Sequence, residues 1–263
     1  MHLLLTQNFI WEVAISEYCG LLFLILISFV STYLAKRKIK IKLAFSIIYS
    51  LGILGSSLLS LSILKMLFFV SKSPMLSYNE LVPIINPMGT LLFLCVELIE
   101  FISLNQASKI LALNVLILLL VHLFAALSAF ILAFFFLKRK PEYKDLFIGT
   151  NSLSKKVISY QFCFIFIFIL LVFLIEYKLN FKVSLQNVLF KEMLSALACF
   201  LTLAWISLLG QFNYPTNLYV AFATFLLAIW QRKTRLVTNL VQMQITIIFY
   251  CTNSLLISLF YLI

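Results

Sequence analysis

The side chains in this sequence that can do chemistry are the ionisable and amide groups set inside apolar runs or at their mouths. Glu97 and Glu100 in "FLCVELIEF" stand three apart, so on a helix they share a face. A carboxyl in apolar surroundings must be paired, neutral or wetted. Two roles are therefore open: a structural pair with Lys109 across a short turn, or a proton relay. His122, in "LLLVHLFAAL", reads as a packed or hydrogen-bonded helix residue, with a place on an intramembrane proton path as its chemical alternative. Glu176 beside Lys178 reads as a surface pair, and otherwise joins the same proton path. The stretch "GTNSLSKKVISYQ" (Gly149 to Gln161) puts Lys155, Lys156, Ser159, Tyr160 and Gln161 in front of a long apolar run. Taken one at a time they are ordinary interfacial residues, because lysines snorkel and tyrosines populate the aromatic belt.

Composition dictates the elements that hold these groups. The chain has 263 residues, 63% hydrophobic and only 11% charged, with a mean hydropathy of +1.11, too little polar surface to coat a soluble globule. It reads as a single integral membrane domain over residues 1–263, all-α, because lipid forces each span to satisfy its own backbone. The formal charge is +11, but the cations gather in "AKRKIKIK" (Ala35 to Lys42), "KRKPEYK" (Lys138 to Lys144) and "QRKTR" (Gln231 to Arg235), at the ends of apolar runs. That is the pattern of orientation by the positive-inside rule, not of a nucleic-acid surface. Cys19, Cys95, Cys163, Cys199 and Cys251 are scattered through apolar sequence with no CxxC, which points away from a disulfide framework, a zinc site or an iron–sulfur cluster. The abundance of Phe, Tyr, Ile and Lys suggests an AT-rich coding sequence of the organellar kind. The start, "MHLLLTQNFIWEVAISEYC", has neither import-peptide nor secretory character, so the chain is expected to be inserted as made.

Apolar runs cover about Ile10–Leu34, Leu43–Val70, Val82–Leu104, Ile110–Leu137, Val157–Tyr177, Phe190–Leu209, Leu218–Trp230 and Leu240–Ile263, which predicts six to eight transmembrane helices. Parity argues against eight simple crossings. If all the early runs cross, "KRKPEYK" faces the side opposite "AKRK", against the charge rule. An interfacial or re-entrant second helix over Leu43–Val70 removes the conflict, and its Gly52, Gly55 and serine cluster suit close packing or an in-plane path. The thirteen residues Leu218–Trp230 are short for a span, so one of the last three runs is expected not to be a simple crossing.

The stretch Gly149 to Gln161, with its leading glycine and "ISY", resembles a loop of subunit 1 of respiratory complex I, the proton-translocating NADH:ubiquinone oxidoreductase. Gln161 stands where that family has glutamate. Other pieces fall in the same order: "YLAKRK" (Tyr33 to Lys38), the suspected in-plane helix, "KMLFFVSKSP" (Lys65 to Pro74), and "ISLLGQFNYPTNL" (Ile206 to Leu218), with Gln211 again replacing a glutamate. The resemblance covers roughly Leu24 to Leu218. The family's following acidic stretch is missing, and "WQRKTRLVTNLVQ" (Trp230 to Gln242) comes too early for its later motif, so the chain looks like a shortened or split copy.

The resemblance implies a membrane-arm subunit in the mitochondrial inner membrane, without a covalently bound cofactor or redox centre. It implies ubiquinone as the substrate of the complex, and other membrane-arm and quinone-module subunits and phospholipids as partners. Lys155, Lys156, Ser159, Tyr160, Gln161, Gln211 and Asn213 become quinone-chamber candidates, and Glu97, Glu100, His122 and Glu176 candidates for the proton path. A second family stays open. "LIEFIS" (Leu98 to Ser103) and "VQMQITII" (Val241 to Ile248) resemble stretches of subunit a of ATP synthase, although Arg139, Arg232 and Arg235 all fall in loops, where that proton channel needs an arginine inside a span. A structural membrane subunit of a respiratory complex is the third reading.

Overall fold

The computed structural model describes residues 11–37, 43–71, 95, 109–143, 155–175, 185–210, 217–231 and 236–259. Among these residues there are seven α-helices and no strand: α1 (Trp11–Arg37), α2 (Ala44–Ser71), α3 (Lys109–Arg139), α4 (Lys155–Phe173), α5 (Leu185–Gly210), α6 (Leu218–Trp230) and α7 (Leu236–Ser258). A short 3-10 turn, Pro141–Tyr143, follows α3. Pro141, the one proline among the described residues, stands just past the end of α3 and opens that turn, as the ring's clash with a preceding helical turn favours. Four helices are long and apolar enough to cross a membrane, over Trp11–Leu34, Ala44–Val70, Leu116–Arg139 and Val237–Ser258. Large apolar side chains such as Phe69, Leu120, Phe124, Phe135, Leu201 and Ile248 point outward. Together with the four spans, such a surface suits lipid, and the chain is an all-helical, multi-pass membrane protein. The apolar run Val82–Leu104 lies outside the described residues, apart from Cys95.

The helices close into a ring that does not follow chain order. α1 packs on α2, α2 on α5, α5 on α4, α4 on α7, α7 on α6, α6 on α3, and α3 back on α1, with α1 also touching α6. Small residues permit the close approaches. Ala125, Ala126, Ala129 and Ala133 line the buried face of α3, and Ala221, Ala223 and Ala228 do the same for α6. Phe164, Phe168 and Phe173 fill the space beside α4.

Contacts between helices fix several directions. A Cβ built on Gly52 would stand 2.5 Å from Ile27 Cγ2, and one on Gly55 would meet Phe23 at 3.3 Å, so α2 runs antiparallel to α1. This departs from the in-plane path expected for the second helix. α2 is continuous over 28 residues and lies lengthwise on its neighbour. The glycines and buried serines serve that packing: Ser46, Ser50, Ser56, Ser57 and Ser60 are all buried.

α3 runs parallel to α1, since Tyr18 meets Ser128 while Tyr33 meets Tyr143 with ring centroids 5.4 Å apart. α6 runs parallel to α3, since Tyr219 meets His122 and Trp230 meets Phe134. α1, α3 and α6 therefore end together, and each is followed in sequence by one of the basic clusters. The charge rule is met by a shared end of the bundle, with no need for α2 to leave the crossing direction.

Two outcomes follow. Cysteines introduced at Lys38, Lys140 and Lys233 should react with a membrane-impermeant thiol reagent from one and the same side; reaction of any one from the other side contradicts the parallel arrangement. Gly52→Ala should destabilise the fold by about 1–3 kcal/mol through overpacking against Ile27. Gly55→Ala, with a longer approach, should cost much less in the same thermal-unfolding measurement.

Candidate functional site

On α1 the inward positions recur every three or four residues through Glu17, Leu21, Leu24 and Ser28, so Glu17 shares the face that packs the bundle. On α3, Leu118, His122, Ala125, Ala129 and Ala133 form the matching face. The two faces bring His122 Nε2 to 3.4 Å from Glu17 Oε2, both side chains being essentially without solvent exposure. One residue further along α1, the Tyr18 hydroxyl donates to Ser128 Oγ at 2.7 Å and fixes the register of the two helices. Glu12, also buried, precedes Glu17 on the same helix.

The third wall of this site is the beginning of α6. Asn217 is buried and caps the helix, its Oδ1 accepting from Tyr219 N at 2.9 Å and Val220 N at 3.2 Å. The Tyr219 ring stands edge-on to the His122 ring, with centroids 5.3 Å apart. α6 has only 13 residues, about 20 Å at 1.5 Å per residue, short of the roughly 30 Å hydrocarbon core. Since Trp230 lies toward the basic end, the N-terminus of α6 is inside the bundle, and the positive end of a helix dipole adjoins the Glu17–His122 pair. The pair itself is about 24 Å above Tyr33, measured along α1.

A carboxyl and an imidazole in contact are side-chain types that can pass a proton between them. The low dielectric opposes two separate charges, whereas mutual contact offsets that cost. His122 Nδ1 is buried and has no hydrogen-bond partner, so the ring meets Glu17 through Nε2.

The predicted loop residues go elsewhere. Lys155 and Ser159 are exposed on the first turns of α4, where Ser159 Oγ donates to the Lys155 carbonyl at 2.9 Å. Tyr160 is half-buried against the core. Gln161, expected at the mouth of a chamber, is buried, and its Nε2 donates to Thr246 Oγ1 on α7 at 2.8 Å. Thr246 in turn donates to the Gln242 carbonyl at 2.8 Å. Lys156 belongs to α4 and Lys109 to α3 by backbone alone. Glu97, Glu100, Glu176, Gln211 and Asn213 lie outside the described residues.

The structure thus separates His122 from the α4 cluster, because α3 and α4 are not neighbours in the ring. Glu12 and Glu17 were missed by sequence reasoning. The signal was present, since carboxyls inside the span Trp11–Leu34 are rare enough to be functional candidates. No protein-family model matches the chain, and a search of curated proteins finds no match either.

Removing one member of the pair should harm the fold more than removing both. Glu17→Leu or His122→Phe alone should lower the thermal midpoint in lipid nanodiscs by several degrees. The double variant should recover much of that loss, as for buried ion pairs replaced by apolar groups. Additive losses would show that the two side chains are not coupled.

Proposed function

We propose that the chain is a proton-handling membrane subunit of an energy-transducing complex, with Glu17 and His122 as the groups that take up and release the proton. The observation that carries this reading is the buried carboxyl–imidazole contact beside the inward-facing start of a short helix. A purely structural core has no need of ionisable groups at that depth, since apolar residues of similar size pack at lower cost.

Within that class, the resemblance of Gly149 to Gln161 supports subunit 1 of complex I in the mitochondrial inner membrane, working beside a ubiquinone chamber. On this reading Lys155, Ser159 and Tyr160 are the described residues that meet a quinone headgroup. Gln161, whose amide is bonded to Thr246, braces α4 against α7.

One observation favours the other family. "VQMQITII" lies on α7, and its Gln242 and Thr246 face inward, as the polar wall of a proton channel would.

Native gel separation followed by activity staining distinguishes the two. Comigration with NADH dehydrogenase activity supports the first reading, comigration with ATP hydrolysis activity the second. For either assembly, Glu17→Gln should leave the complex assembled and lower proton translocation at least tenfold, measured with a pH-sensitive dye in reconstituted vesicles. Undiminished translocation would remove the pair from the proton path.

A further inference from the structure

The inner face of α7 is polar along most of its length. Asn239, Gln242, Thr246, Tyr250 and Asn253 recur at spacings of three and four, with Ser254 and Ser258 alongside, and all are buried. Near the middle of the helix this polarity is answered by Gln161, which reaches Thr246 from α4. Ser258 donates to the Leu255 carbonyl at 2.7 Å. Between these points the pattern breaks. Both amide atoms of Asn253 and the hydroxyl of Ser254 have no hydrogen-bond partner, and both residues are 0% exposed.

Several buried hydroxyls return to a carbonyl of their own helix, as Thr202 does to Ala198, Thr224 to Val220 and Ser56 to Ile53, each at 2.7 Å. Ser254, like Ser28 and Ser60, does not, and it alone of these adjoins an amide that is also unmet. A primary amide has two donor hydrogens and an acceptor oxygen, and the adjacent hydroxyl adds one donor and an acceptor. So many unmet groups on consecutive residues are costly in a low dielectric. Small molecules that donate and accept at once resolve them, and the usual occupant of a polar internal site with several partners is water.

We propose that Asn253 and Ser254 hold a cluster of internal water molecules, a hydrated site within the bundle. Its position follows from the helix order. α7 follows α6 after residues 231–235 and packs against it, so the two are antiparallel and α7 starts near the basic end. Asn253 is about 26 Å beyond Leu236 along the helix, toward the opposite face. On the reading of the chain as a proton-handling subunit, on which this role rests, the cluster supplies exchangeable protons from the face away from the basic loops.

Asn253→Leu, close in size but apolar, tests the site in the purified assembly in nanodiscs. With water present, the substitution strips the cluster of its principal partner, and the thermal midpoint should fall by a few degrees. A dry, unpaired amide predicts the reverse, because replacing it with leucine removes an unmet polar group. An unchanged or raised midpoint overturns the proposal. Asn253→Ser, which keeps polarity and adds room, should lie closer to the unmodified protein than Asn253→Leu does. A cryo-EM map of sufficient resolution to show ordered water should contain density within hydrogen-bonding distance of the Asn253 amide, and a site closed over by side chains overturns the proposal as well. Both readouts concern the site alone: they can fail while Glu17→Gln still stops proton flux, and they can succeed while it does not.

Discussion

A carboxyl group held in hydrocarbon needs a partner or a proton, and the contact between Glu17 and His122 is where this bundle meets that demand. Much of the remaining arrangement depends on it. The pair, with the Tyr18–Ser128 hydrogen bond beside it, sets α3 parallel to α1 and in a defined register. That register carries the basic ends of both helices to one face. It also sets the level at which α6 begins, since Tyr219 packs on the His122 ring. The alanines of α3 and α6 then let the three helices approach closely enough to exclude lipid from the pair.

The spans were legible because lipid imposes a simple rule on composition, and runs such as Ile110–Leu137 and Val157–Tyr177 coincide closely with α3 and α4. The path of α2 was not. Counting crossings against the charge rule assigned it to an interfacial or re-entrant path, whereas Gly52 and Gly55, in the close packing their size allows, record an antiparallel neighbour, α1. Glycines in a span announce close contact without saying with what.

The site was half legible. His122 stands out in sequence because a histidine among leucines is conspicuous, but its partner is 105 residues away and no local pattern joins them. Gln161 shows the opposite failure: its place behind two lysines suggested an open mouth, and helix geometry turned it inward to Thr246. A side chain's direction depends on the helix phase and on the neighbour it meets, and the ring order of α1, α2, α5, α4, α7, α6 and α3 is written in no single segment.

The long separation between the two halves of the buried pair also bears on how the protein is made. α1 leaves the ribosome with Glu12 and Glu17 long before His122 is synthesised, and at roughly 5–20 residues per second α3 follows only after several seconds. During that interval Glu17 has no imidazole to face. The contact that joins α1 to α3 cannot form until the second of these helices has been made, so assembly of the two becomes a timed step of biogenesis.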